Sequence, residues 1–210
     1  MTSVPKESII NSNIKSIYLT FDDGPDPETT TVIREILAEH SALATFFALG
    51  VNATKYSDIV RTCFLDGHRI GNHSFDHFRL SEMKSSQVKY QIESTQKVLK
   101  GICGPRSVRH FRAPYGAWSS IVHEQARRVS LRPVHWSLDP RDWECPGASK
   151  IIDTVLEGAR PGEIVLLHDG YPPSEESGAG RRARREQTIS AVKYIVPALQ
   201  SLGLSLQPLP

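Results

Sequence analysis

The residues able to do chemistry fall in short polar clusters, and Asp22-Asp23, inside Thr20-Phe21-Asp22-Asp23-Gly24-Pro25, is the richest of them. Like charges a few ångströms apart raise each other's pKa, so paired carboxylates are costly to hold together unless a cation sits nearby. His73 and His77 offer a way to hold one: four residues apart on a helical turn, both imidazoles face the same way. With Asp23 they form two histidines and a carboxylate. That donor set suits Zn²⁺ or another divalent transition metal and leaves positions open for water. Singly, each cluster is weak. An Asp-rich turn before Gly-Pro is most often a solvated loop, and a lone H-x-x-x-H is most often a surface or core pair. Ser74 stands where the zincin motif needs Glu, and Asp22, Asp23 and Asp26 do not alternate as an EF-hand requires.

The reaction such a set supports is hydrolysis. A metal-held water has its pKa pulled towards about 7, so it can lose a proton near neutral pH. Neighbouring side chains of a strand point to opposite faces, so Asp22 can stay off the metal and act as general base while Asp23 binds it. His168 is the expected acid, since an imidazole pKa of about 6.5 lets it carry a proton at working pH. Asp142 or Asp139 could stabilise its charged form, and Arg112 could pair with Asp22 and orient it. The plainer reading of Arg112 is a surface ion pair, which is worth little. The reading requires residues 23, 73 and 77 to meet around one ion, with residues 22 and 168 facing each other across a cleft.

The elements that must position these groups can be read from hydrophobic period. Ile17, Leu19 and Phe21 alternate with Tyr18 and Thr20 as in a strand that ends at the two acids. Apolar strand-like runs recur at residues 42–49, 68–71, 108–111, 133–138, 163–167 and 204–206. Helical periods fall between them over 28–40, 56–65, 85–100, 119–129, 148–159 and from about 186 to 202, with Gly67 as a C-cap and Gly101 ending the third. A polar loop is expected up to about Glu186. Alternating strands and helices argue for a parallel α/β architecture with right-handed crossovers, a barrel-like domain of about seven units. The clusters Asp22/Asp23, His73/His77, Arg112–Tyr115, Asp139–Trp143 and His168 each follow such a strand. Carboxyl ends of parallel strands converge on one face, where sites are built, and this is the main sequence argument for an enzyme.

Composition narrows the remaining choices. At 210 residues, 39% hydrophobic and 23% charged, the chain reads as an ordinary globular protein, and its net charge of +2 gives no reason to expect nucleic acid as partner. Cys63, Cys103 and Cys145 are odd in number and far apart, forming neither a disulfide framework nor a thiolate metal site. Residues 1–13 read as an N-terminal extension without the apolar core of a secretory signal, and no run is long enough to span a bilayer, so a cytoplasmic setting is expected. Trp118, Trp143 and Tyr171 sit beside strand-end loops where they could stack on sugar rings, whereas Trp136, in a strand, reads as packing. Arg181, Arg182, Arg184 and Arg185 read as a solvated loop.

Thr20-Phe21-Asp22-Asp23, His73-Ser74-x-x-His77, Arg112-x-Pro114-Tyr115, Asp139-x-x-Asp142-Trp143 and Leu166-x-His168 resemble, in order, the five motifs of the polysaccharide deacetylases. These are metal-dependent carbohydrate esterases that share the NodB homology domain. The likeness runs from about Ile14 to the C-terminus, and its compact size is most similar to the rhizobial nodulation members of that family. It implies a distorted parallel (β/α) barrel forming a single domain over 14–210. It also implies one divalent ion, Zn first and Mn, Co or Mg as alternatives, on Asp23, His73 and His77. By the same resemblance Asp22 is the base, His168 the acid, Arg112 positions Asp22 and Asp142 tunes His168. The backbone N–H of Tyr115 would help stabilise the oxyanion, while Trp143 and Leu166 would line the acetyl groove. The implied partner is a chitooligosaccharide that loses N-acetyl groups, as in lipochitooligosaccharide nodulation-signal synthesis, and the protein is expected to be a monomer. Deacetylation of peptidoglycan or xylan is the nearest alternative. A carbohydrate-binding protein without turnover is a further one, and intact Asp22 and His168 argue against it.

Overall fold

A computed structural model describes residues 15–175 and 181–210, so the extension expected over residues 1–13 lies outside the described residues. The chain begins with β1 (Ser16–Asp22), in which Ile17, Leu19 and Phe21 are fully buried. Thr20 and Asp22, on the alternate face, are buried too, because β1 is a central strand covered on both sides. It is followed by α1 (Thr29–Glu39), β2 (Thr45–Ala48), α2 (Gly50–Lys55), α3 (Ser57–Leu65), β3 (Arg69–Asn72) and α4 (Ser85–Cys103). Then come β4 (His110–Phe111), α5 (Ser120–Arg128), β5 (Arg132–Pro133), α6 (Ala148–Gly158), β6 (Ile164–His168), α7 (Arg181–Ser201) and β7 (Ser205–Leu206). All pairings are parallel, in the order β5-β4-β3-β2-β1-β6, and β7 joins the base of β1. Among the described residues this makes a parallel seven-stranded sheet, as expected.

The barrel closes through an irregular segment. The amide of Val134 still donates to Phe111 on the β4 side (2.8 Å). Four residues later Leu138 bridges Val165, its carbonyl accepting from Leu166 at 2.9 Å. The single strand expected over 133–138 is therefore split, and the stretch between its two anchored ends crosses from one sheet edge to the other. That leaves His135 and Trp136 outside any strand, with consequences for the site. The core lies between sheet and helices, where Ile33 and Leu37 of α1, Val88, Ile92 and Leu99 of α4 and Ile195 and Leu199 of α7 present apolar stripes.

Other boundaries moved for identifiable reasons. α4 continues through Gly101, whose added Cβ would meet nothing within 4 Å, and stops at Gly104, where φ is +100°. A short helix, α2, precedes the one expected from Tyr56; six residues are too few for period to reveal. The strand over 42–49 shrinks to four residues. α7 begins at Arg181, inside the expected polar loop.

Candidate active site

β1 stays in register through Asp22, which pairs with Phe47 of β2 and His168 of β6. At Asp23 the backbone turns left-handed (φ +76°), so strict alternation ends. Both carboxylates consequently line one cleft of about 320 Å³, rather than opposite faces, together with His73, His77, Tyr115, Trp143, Leu166 and His168. Asp22 and His168 are register neighbours on adjacent strands, side by side rather than across the cleft. Small residues make the junction possible: a Cβ on Gly24 would fall on the Asp169 carboxylate, and one on Gly170 on the backbone of Asp23 and Gly24.

His73 and His77 do not share a helical turn. They lie on a loop after β3 in which Ser74 and His77 both have positive φ (+70° and +68°). Side chains of neighbouring elements hold this shape. Asn72 Oδ1 accepts from the Ser74 amide (3.0 Å), and Gln91 of α4 accepts from the Phe75 amide (2.9 Å) and donates to Asp76 (2.6 Å). Asp23, Ser74, His77, Tyr115 and Arg141 all adopt left-handed backbone beside the cleft. Such backbone strain persists only where surrounding contacts over-determine it, and it gathers at functional sites.

Asp23, His73 and His77 each offer a ligand atom within 4.8 Å of the others. Nε2 of His77 is 3.3 Å and Nε2 of His73 3.5 Å from Asp23 Oδ1. A carbonyl only accepts, so His73 Nδ1–H donates to the Arg112 carbonyl (2.8 Å), which leaves the Nε2 lone pair aimed at the centre. Burial lowers the His73 pKa, which favours the neutral ring that a metal needs. Asp23 Oδ1 is buried yet has no hydrogen-bond partner among the described residues. Burial opposes its ionisation, but His77, His168, His73 and Arg185 together hold its carboxyl below the usual range.

The neighbouring acids are matched more tightly. Arg112, fully buried rather than at the surface, donates to Asp22 Oδ1 at 2.8 Å and to Thr20 Oγ1 at 2.8 Å. Asp142, also fully buried, accepts from His168 Nδ1 at 2.6 Å, from the His168 amide at 3.0 Å and from Thr188 at 2.7 Å. Burial works against a charged His168, but Asp142 wins and pushes its pKa up to about 9. Asp22 and Asp142 thus each have a close cation, whereas the nearest to Asp23 among the arginines, Arg185, stands 3.9 Å away. Of these three acids, the one with an orphaned carboxylate oxygen is the one beside two histidines, and a divalent cation fits there by charge and by donor type.

The aromatic residues are placed differently from expectation. Trp118 packs edge-on to Phe111 (5.6 Å) and stacks on His123 (4.7 Å), within the core rim. Tyr171 is buried beneath the Arg185 guanidinium (4.9 Å). Trp136, freed from the sheet, walls the cleft instead, against Gly116. Tyr115 and Trp143 are exposed at its mouth, the Tyr115 ring resting on His77 (4.6 Å). Arg185 is only 3% exposed and is no part of a solvated loop, while the side chains of Arg181, Arg182 and Arg184 lie outside the described residues. Sequence reasoning also missed Asn52, whose amide ties the Asp23 carbonyl (2.7 Å) to that of Tyr171 (3.0 Å). It missed Asp169 as well, which burial pushes up to about 7 against the Thr30 hydrogen bond.

Residues 10–134 match the family model for polysaccharide deacetylase. The chain belongs to the polysaccharide deacetylase family. It is 53% identical, over its full length and that of its relative, to a chitooligosaccharide deacetylase of Azorhizobium caulinodans. A protein of the same description from Rhizobium leguminosarum bv. trifolii is 46% identical, with 95% of this chain and 92% of the relative covered. Among solved structures, a peptidoglycan N-acetylglucosamine deacetylase superposes with a TM-score of 0.84 at 32% identity, covering 94% of this chain and 87% of that one. A family 4 carbohydrate esterase from Streptomyces lividans in complex with acetate gives a TM-score of 0.78 at 27% identity, with 90% of each chain covered. This polysaccharide deacetylase is therefore a carbohydrate esterase built on the family's (β/α) barrel, in a metal-dependent family and with a donor set for a metal. Among the described residues, no helix is long and apolar enough to cross a membrane.

Proposed function

We propose that this polysaccharide deacetylase hydrolyses the N-acetyl group of N-acetylglucosamine in chitooligosaccharides. The observation that carries this reading is the meeting, in one cleft, of an Asp-His-His donor set with a carboxylate and a histidine that each have a dedicated buried partner. Identity over the full length to a chitooligosaccharide deacetylase supports the choice of sugar over the peptidoglycan substrates of more distant relatives.

Asp23, His73 and His77 would hold the ion, and imidazole donors favour zinc over magnesium. Bound there, a divalent cation supplies Lewis acidity, polarising the amide carbonyl and acidifying a water molecule. Arg112 fixes Asp22 through Oδ1, so Oδ2 is the oxygen that takes the proton from the attacking water. Asp142 fixes His168 through Nδ1, so the Nε2 proton passes to the departing amine nitrogen as the C–N bond breaks. Water and amide thereby become acetate and a glucosamine amine. The Tyr115 amide adds an oxyanion donor at the mouth of the cleft. Leu166 and Trp143 bound the space for the acetyl methyl, and Tyr115, Trp136 and Trp143 offer ring faces to the sugar.

We take residues 14–210 as one domain that acts as a monomer in the cytoplasm, in keeping with free Cys63, Cys103 and exposed Cys145. The amine it exposes suits lipochitooligosaccharide nodulation-signal synthesis, a reading that the motif likeness supports. Zinc-loaded protein is expected to release acetate from chitooligosaccharides faster than from peptidoglycan or xylan. Saccharide binding with no release from any of the three would leave a binding protein in place of an enzyme.

The pH dependence follows from His168. Its acid form, with a pKa raised to about 9, is complete below that value and lost above it, so kcat should fall on the alkaline side. Asp142→Asn removes the charge that raises this pKa, and the alkaline limb should move to lower pH. An unmoved limb in a pH–rate profile would assign it to another group.

A further inference from the structure

The geometry points to Arg185 as a positioning residue that reserves one oxygen of Asp23 for a cation by occupying the side of the other. The inference rests on the metal reading above and adds a residue that none of the five motifs contains. Arg185 projects from α7, is 3% exposed, and places Nη2 3.9 Å from Asp23 Oδ2. The remaining carboxylate oxygen, Oδ1, is the one that both imidazole Nε2 atoms approach, and it has no hydrogen-bond partner among the described residues. One carboxylate is thus divided into an oxygen facing a guanidinium and an oxygen facing two ligand nitrogens.

Arg185 can hold this division because its own plane is fixed twice. Nε donates to the Gly170 carbonyl at 2.9 Å, and the guanidinium lies 4.9 Å over the Tyr171 ring. A planar fork clamped in this way cannot follow a carboxylate that swings, which a flexible ammonium could do. The distance matters as well. At 2.8 Å Arg112 consumes an oxygen of Asp22, whereas 3.9 Å orients Asp23 and leaves its charge available to a cation. Gly170 and Tyr171 follow His168 in the chain, so the same guanidinium ties the metal ligand to the loop that follows the acid.

The test is a cobalt titration of metal-free protein, read by the visible absorption of bound Co²⁺ and by competition with a chelator. Wild type, Asp23→Asn, Arg185→Met and Arg185→Lys are compared. Residues that orient metal ligands typically cost about 10- to 100-fold in metal affinity when removed. Arg185→Met is expected to show a loss in that range, with cobalt bands altered in intensity, because the band pattern reports how many donors bind and in what geometry. Arg185→Lys, which keeps the charge without the fork, should recover only part of the affinity. Wild-type affinity and spectrum in Arg185→Met would overturn the assignment. If Arg185→Met fails to fold by circular dichroism, Arg185→Lys decides: a weakened, spectrally altered site supports the assignment, and an unchanged one overturns it. Cobalt binding that is absent from wild type, or undiminished in Asp23→Asn, would instead remove the metal reading, and this inference with it.

Discussion

Asp22→Asn is expected to lower kcat on chitooligosaccharides by about 10²- to 10⁴-fold, with KM little changed, because the amide cannot take the proton of the attacking water. His168→Ala should cost a similar factor by denying the departing nitrogen its proton. The double variant should be little worse than either alone, since the two groups act on one transition state. The substitutions differ in what they do to the fold. His168→Ala removes a group at the end of β6, whereas Asp22→Asn leaves fully buried Arg112 without its counter-charge. Breaking one partner of a buried pair costs about 3–5 kcal/mol, of which the retained amide oxygen returns a part as a hydrogen-bond acceptor. Rates should therefore be measured at a temperature where circular dichroism shows Asp22→Asn folded. A folded Asp22→Asn with wild-type kcat would place the base elsewhere.

Removing the metal should abolish acetate release altogether, and restoring a divalent ion should bring it back. A ligand that binds only the folded state stabilises it by about 2.7 kcal/mol at one hundred times its Kd, so Tm should fall on chelation and recover with the ion. The two histidines should not be equivalent. His73 has its tautomer set by the Arg112 carbonyl, whereas His77 Nδ1 has no hydrogen-bond partner among the described residues. His73→Ala should accordingly lose more metal affinity than His77→Ala. Acetate release that persists after elemental analysis shows the metal gone would exclude a metal-assisted reaction.

Much of this arrangement was legible in the sequence, and what was missed has a physical pattern. Residues at strand ends could be found because parallel strands bring their carboxyl ends to one face whatever the loops do, which is how Asp22, His73, Arg112, Asp142 and His168 came to share a site. The path of the backbone within the loops was not legible. Left-handed geometry at Asp23 and His77 lies beside tertiary contacts from Asn52, which donates to the Asp23 carbonyl, and from Gln91, which accepts from the Phe75 amide, both distant in the chain, and local propensity carries no record of them. The same limit explains Trp136 and Arg185. Trp136 sat in a strand by pattern, but barrel closure split that strand and turned the ring into the cleft. Arg185 belonged to a run of like charges, which by composition reads as solvated surface, and only the packing of α7 against the loop after β6 buries it.

The central place of β1 has a consequence for how the protein is made. Among the described strands β1 is the first that a ribosome releases, yet two of its three neighbours, β6 and β7, come last in the order. Until they emerge, the nascent sheet keeps an apolar edge waiting, and pairings between such distant segments form slowly. A charged side chain on an open edge discourages pairing with another chain. Asp22 stands at the end of that waiting edge.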